Sequence, residues 1–498
     1  MEGDDDDTLQ LHLWYQRREP AHRLFWRGTP AVEPARTVHC DIVVIGAGPA
    51  GLTSAWLLQQ LGYDVLVVEN EPTLGGATRV EPWKGALVPC GALYFTELSP
   101  LVQELLRATH LPLLPLPDDA LWLQGRIYQD FWRDSVLDEL PLPWEERSAF
   151  RRFRTDLQTL PIPPYPLPDS LPGTWRRVAA QPAETFVRSY GSPTLSLLLD
   201  AYARSAMGAT LDQVSTYCLR DFYSGEFGTA FQCPRYSFPG GLAALCQRLG
   251  EQLGMERIWR QTLAFRIEQL RPNRIRTLCL DAEGTIVAID SVGAVVATPK
   301  FVAKHLLPEL PPAQQQAMLR LRYAPYLTVH LLTPFRLVPE GTFDLWVPQA
   351  RLFTDITDAT LLQPKPVEHF VACIYAPLPT AQRGILLQED KLRALVHAIV
   401  REALQLLAPE RMEELDQVTC FVWGHALVIP TPEALLGAAQ QAARPVGPIV
   451  FAHTDNDGSP ALENALEHAL RATETLHHRL RPHSPRPLIR RPTRLPTP

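Results

Sequence analysis

Gly46-Ala47-Gly48-Pro49-Ala50-Gly51 has the G-x-G-x-x-G spacing with which a backbone wraps a diphosphate. Gly46 permits a tight turn, Gly48 lets the backbone approach a pyrophosphate, and Gly51 lets the following helix pack closely. Ala50 keeps the same cradle small. The bare N–H groups at the helix start, and its dipole, attract the anion. Glu69 lies 18 residues beyond Gly51. A carboxylate there accepts hydrogen bonds from ribose hydroxyls and disfavours a 2′-phosphate. Together these residues bind a dinucleotide other than NADP.

Such a turn works only between a strand and a helix. The run CDIVVI, 40–45, is rich in β-branched residues and reads as a buried parallel strand. Residues 50–61 have helical spacing and stop at Gly62, and DVLVVE, 64–69, is a second buried strand. This is one βαβ unit. Helical segments broken by proline-rich loops follow, from 97 to about 230. Residues 262–298 (LAFRIEQL, RIRTLCLD, TIVAIDSV, AVVATP) alternate as an antiparallel meander, and 463–480 form a last helix. Residues 1–39 read as an irregular extension that Trp14, Tyr15, Phe25 and Trp26 pin to the body. The acidic run 2–7 and the Pro/Arg-rich tail 481–498 read as solvated and disordered.

The bulk composition excludes other classes. With 46% apolar residues, 20% charged residues and a net charge of −7, the 498-residue chain is globular and offers nothing to nucleic acid. Its eight cysteines form no C-x-x-C pair and no zinc spacing, so no metal site is expected. No window is apolar enough to span a membrane and no secretory signal stands at the start, which makes the cytoplasm the expected location.

Residues 41–79, DIVVIGAGPAGLTSAWLLQQLGYDVLVVENEPTLGGATR, resemble the opening of the flavin-containing amine oxidase superfamily. That group includes monoamine and polyamine oxidases, L-amino-acid oxidases, protoporphyrinogen oxidases and phytoene desaturases. The resemblance implies FAD, with Gly75-Gly76 along its pyrophosphate and ribityl chain and Arg79 close by. The family often has an arginine directly after the two glycines; this chain has Ala77. Pro89-Cys90-Gly91-Ala92-Leu93-Tyr94-Phe95 resembles the segment beside the flavin ring, and a side chain at Gly91 would occupy space the cofactor needs. The backbone near Leu263 would meet the adenine. Phe451-Ala452-His453-Thr454-Asp455 resembles the closing FAD motif, with Asp455 taking the place of its acid. No cysteine matches a covalent attachment site, so FAD is expected to be noncovalent.

Trp423-Gly424-His425 through Pro430 resembles the substrate-side segment of the desaturase and protoporphyrinogen oxidase branch. It supplies two candidate catalytic residues: Trp423 as an aromatic wall, and His425 as an acid or base near neutral pH. Amine oxidases carry a lysine in the strand that here reads YLTVHLLT; this chain has none. Two chemistries stay open for a small-molecule substrate: oxidation of an amine or amino acid, and C–C desaturation, each by hydride transfer to flavin. A non-catalytic FAD-binding protein or partner subunit is the alternative. The expected fold is α/β: a discontinuous Rossmann-type FAD domain (40–96, 232–300, 421–480) with parallel sheet and meander, and a second α+β substrate domain (97–231, 301–420). The proline-rich loop 160–172 reads as a connection.

Overall fold

The computed structural model describes residues 10–15, 33–168, 170–227, 234–415 and 417–482. The acidic run 2–7, Phe25, Trp26 and nearly all of the tail lie outside them. Ile42–Ile45 and Val65–Val68 are buried on both faces, which suits Val and Ile to the interior of a parallel sheet. They sit in a five-stranded sheet ordered Ile258–Trp259, Val65–Val68, Ile42–Ile45, Gly293–Val296, Ile449–Phe451, with every pair parallel. The helix Pro49–Gln60 joins the two central strands and packs on the final helix, Leu462–Leu480.

The meander holds three antiparallel strands, Leu263–Arg271, Arg274–Leu280 and Ile286–Ser291, with Arg36–His39 added in parallel. Its expected fourth strand is elsewhere. Gly293–Val296 joins the five-stranded sheet, because it is buried on both faces and has no alternation to half-expose.

An eight-stranded sheet forms the second layer. Its order is Gln10–Tyr15, Gln417–Val428, Tyr323–Thr333, Phe370–Pro377, Asp355–Asp358, Asp344–Trp346, Ala120–Leu123, Arg126–Gln129. Helices including Trp144–Thr159, Pro193–Met207 and Thr216–Ser224 pack beside it. Two regions differ from the sequence expectation. The N-terminal extension is not wholly irregular: Gln10–Tyr15 pairs in parallel with Gln417–Val422, and its partner lies some 400 residues away, beyond any local signal. The boundary expected at 421 also falls inside the strand Gln417–Val428, whose hydrogen bonds to Tyr323–Thr333 place it in the large sheet.

His330 lies inside that sheet, fully buried, with Nε2 2.5 Å from the Pro89 carbonyl. Burial holds its imidazole down to about 4. A histidine in the unfolded chain titrates near ~6.5, so the folded state binds fewer protons between those values. Its contribution is therefore complete above ~6.5 and drains away as the pH falls towards 4. Stability from urea titrations is expected to drop by about 2 kcal/mol between pH 7 and 5, and His330→Gln should flatten that slope.

Candidate functional site

A cavity of about 1410 Å³ lies between the five-stranded sheet and the large sheet. That exceeds the ~300–1,000 Å³ of ordinary small-ligand pockets, and leaves room for a dinucleotide plus a substrate. At one end stands the glycine turn. Gly46 has φ +105, and a Cβ there would sit 2.9 Å from the Ala297 carbonyl oxygen. Gly48 and Ala50 line the cavity, with Gly76 packed directly beside Gly48. Gly51 and Gly75 stand behind this wall. A Cβ on Gly51 would lie 1.9 Å from the Gly46 oxygen, and one on Gly75 2.9 Å from Arg79 Cα, so both glycines serve the packing of the turn. The cradle fits a pyrophosphate: its backbone is bare on the cavity side and closed behind.

Glu69 lines the same end. Its Oε2 accepts from the Ala47 N–H at 2.6 Å and its Oε1 from Glu71 N–H at 2.8 Å. Burial pushes its carboxyl up, against the pull of those two amides. Leu263 begins the first meander strand at the cavity wall. Arg79 also reaches the wall, but its charge is engaged. Nη1 donates to Glu71 at 2.8 Å, Nε lies 3.4 Å from Glu81, and the guanidinium covers the Phe421 ring at 4.4 Å.

Gly91 and Ala92 line the middle of the cavity. The reason Gly91 must be small differs from the expectation: a Cβ would fall 2.3 Å from the carbonyl oxygen of Ala77, within the protein itself. Three side chains from the large sheet clamp this segment. Trp423 Nε1 donates to Cys90 O at 2.6 Å, Thr328 Oγ1 to the same oxygen at 3.1 Å, and Tyr375 OH to Gly91 O at 2.7 Å. The stretch Cys90–Gly91 is thus held against the large sheet, with Gly91 at the cavity wall. His425 lines the cavity too, stacked on Phe301 at 4.5 Å, and burial holds its imidazole down to about 4.

Asp455 is completely buried beside the start of the last helix. Its Oδ2 accepts from Lys300 N–H at 2.7 Å and from the Tyr323 hydroxyl at 2.6 Å. His453 Nδ1 lies 2.9 Å from Oδ1. Burial alone would raise this carboxyl; the His453 imidazole, Lys300 and Tyr323 outweigh it and hold it well below the usual range. The N-terminus of Leu462–Leu480 meets the cavity through Leu462, Glu463 and Asn464, and Glu463 Oε1 accepts from Thr96 N–H at 2.5 Å and Glu97 N–H at 3.1 Å. The loop expected to be a mere connection forms cavity wall: Pro161 to Tyr165 line it, and Tyr217 donates to Pro164 O at 2.5 Å.

The sheet end holds acids that sequence reasoning missed. Asp344 and Asp355, each 2% exposed, line the cavity, as does Glu226, which accepts from Tyr94 OH at 3.0 Å. Burial pushes all three carboxyls up, Glu226 to about 7. Asp119 beside them is bridged to Arg235 and accepts from Trp346 Nε1 at 2.9 Å. The one available signal was an acid at an inward position of two short strands, DLW and DITD; the pairing that unites them is non-local. Among the described residues, no group of three or more His, Cys, Asp or Glu is placed to hold a metal.

The model of the flavin containing amine oxidoreductase family matches residues 49–477. The chain belongs to that family. As a flavin containing amine oxidoreductase it is an FAD-dependent oxidoreductase acting on a small molecule, and no helix among the described residues is long and apolar enough to cross a membrane. Curated relatives match over short stretches. Hydroxyneurosporene desaturase of Rubrivivax gelatinosus is 48% identical over 64 residues, 13% of this chain and 12% of that protein. Putrescine oxidase of Kocuria rosea is 42% identical over 69 residues, 13% of this chain and 14% of that protein. The fold likeness is broad. A putrescine oxidase double mutant superposes with TM-score 0.71 at 16% identity over 88% of this chain and 99% of that one. Cyclohexylamine oxidase from Brevibacterium oxydans gives 0.68 at 18%, over 89% and 99%. These structures share the fold of this family member: a Rossmann-type FAD domain and a second α+β layer.

Proposed function

We propose that the chain oxidises a cationic amine, with FAD held noncovalently in the glycine cradle. Asp344 and Asp355 carry the choice of an amine over a neutral carbon skeleton. A buried carboxylate without a cationic partner is costly, and a neutral polyene would leave that cost uncompensated. An ammonium offsets it, and tyrosine and tryptophan walls favour a cation further. Gly46, Gly48, Ala50 and Gly76 frame the pyrophosphate, with Gly51 and Gly75 supporting the turn. Glu69 serves the ribose, Leu263 the adenine, and Gly91-Ala92 the ring edge. Arg79 and Asp455 support the site from positions already engaged with protein groups. FAD supplies the hydride acceptor; the protein's own groups orient the substrate and exclude water.

We assign the five-stranded sheet and meander to the cofactor domain and the eight-stranded sheet with its helices to the substrate domain. Trp423 fixes the Cys90–Gly91 segment and walls the substrate. His425 lines the site as a weakly basic imidazole, because burial holds it down to about 4. Seven described cysteines are free, which fits the cytoplasm. Desaturation remains the second reading, favoured by the missing lysine in Tyr323–Thr333. Oxygen-free mixing of the yellow protein with aliphatic amines, and separately with polyenes, decides between them. Bleaching by amines alone is expected. Bleaching by polyenes alone would reject the amine reading, and a flavin that nothing reduces would favour a non-catalytic role.

A further inference from the structure

Register places the acids at a definite distance from the Cys90–Gly91 segment at the cavity wall. Thr328 pairs with Tyr375, Tyr375 with Asp355, and Asp355 with Trp346, in one row across four strands. Thr328 and Tyr375 both touch Cys90–Gly91. At ~4.8 Å per strand, Asp355 stands roughly 10 Å along the floor from Thr328. Asp344 follows on the next strand.

Both carboxylates are open to a ligand. Asp344 Oδ1 and Asp355 Oδ1 are buried and accept no hydrogen bond, and both residues line the cavity. The cations nearby are already engaged. Arg235 is bridged to Asp119 and donates to Pro117 O, and Arg204 pairs with Asp200 at 3.1 Å. Burial and the neighbouring acids push both carboxyls up, as expected of a site short of one positive charge.

The reacting nitrogen is a poor occupant for this cup. A carbon gives up hydride only when its nitrogen has a free lone pair to take up the developing positive charge. A carboxylate pair at that nitrogen would keep it protonated and block the step. An ammonium that does not react meets no such conflict.

We propose that Asp344 and Asp355 bind the distal ammonium of a linear diamine, whose other nitrogen lies unprotonated at the Cys90–Gly91 end. This rests on the amine reading and deepens it. The floor between the two ends, Tyr326, Thr328 and Tyr375, spans the carbon chain and sets its length.

The test is anaerobic reduction of the full-length holoprotein by linear α,ω-diamines from butane to octane, each against the n-alkylamine of equal carbon count. A diamine preference of at least about tenfold, peaking at one length, is expected. In Asp355→Asn and Asp344→Asn that preference should fall about tenfold or more, seen as a rise in the diamine concentration needed for half-maximal reduction. Equal reduction by diamines and monoamines in the unchanged protein overturns the proposal, even if neither variant folds, and leaves the amine reading intact. A preference that survives both substitutions also overturns it. Reduction by polyenes and by no amine would instead reject the amine reading itself.

Discussion

Gly48→Val is expected to yield a folded protein that purifies without flavin. A Cβ at Gly48 meets nothing closer than Gly76 Cα at 3.7 Å, an ordinary contact. The Cβ therefore fits without displacing backbone, and Gly48 itself lines the cavity. A branched side chain there keeps a diphosphate from the N–H groups at the start of the helix Pro49–Gln60. Flavin content should fall from about one per chain to under a tenth, a weakening of roughly 80-fold or more, at least ~2.6 kcal/mol in affinity. Melting should match that of the flavin-stripped parent. Gly51→Val serves as the contrast: its Cβ would lie 1.9 Å from the Gly46 oxygen, so it should lower expression of folded protein altogether. A Gly48→Val protein with a full flavin spectrum would mean the dinucleotide lies elsewhere.

Asp455→Ala should cost about 3–5 kcal/mol of stability. The substitution strands two buried groups at once, the Lys300 amide and the Tyr323 hydroxyl, and removes the carboxylate beside the His453 imidazole. It also removes a charge that offsets the buried ammonium of Lys300, which desolvation already holds down to about 8. Asp455→Asn keeps an acceptor for the amide and should recover part of the loss. The pH dependence has a definite sign. Because the folded carboxyl lies below its unfolded value of ~3.9, its contribution is complete above that value and disappears as the pH falls through the folded one. Urea titrations at pH 7 and at acid pH, on parent and variant, should converge as the solution becomes more acidic. Equal midpoints at pH 7 would show that Asp455 does not hold these elements together.

The cradle was readable in the sequence because its parts are local. Strand, turn, helix and second strand occupy residues 42–68, and each glycine answers a steric demand within a few residues of itself or from the strand alongside. The acid cup was not readable. Asp344 and Asp355 are brought together by antiparallel pairing of two short strands, and they acquire meaning only when Tyr375 and Trp346 flank them. Gly293–Val296 shows the same limit: its apolar run reads equally as a meander strand or a central parallel one, and only the neighbour Ile42–Ile45 decides. Arg79 was legible as a basic residue near the cofactor, but Glu71 and Glu81, which take up its charge, lie in the loop and strand around it.

The strand Gln10–Tyr15 has a consequence for biosynthesis. Its hydrogen-bonding partner, Gln417–Val422, leaves the ribosome some 400 residues later, and Ile449–Phe451 must likewise reach back to Gly293–Val296. Neither major sheet can close during most of translation, so apolar edges formed early wait with their hydrogen bonds unmade. Slower elongation will not help such a chain, because the missing strand comes so much later. Cooler growth or chaperone capacity should raise the yield of soluble protein far more than codon choice does.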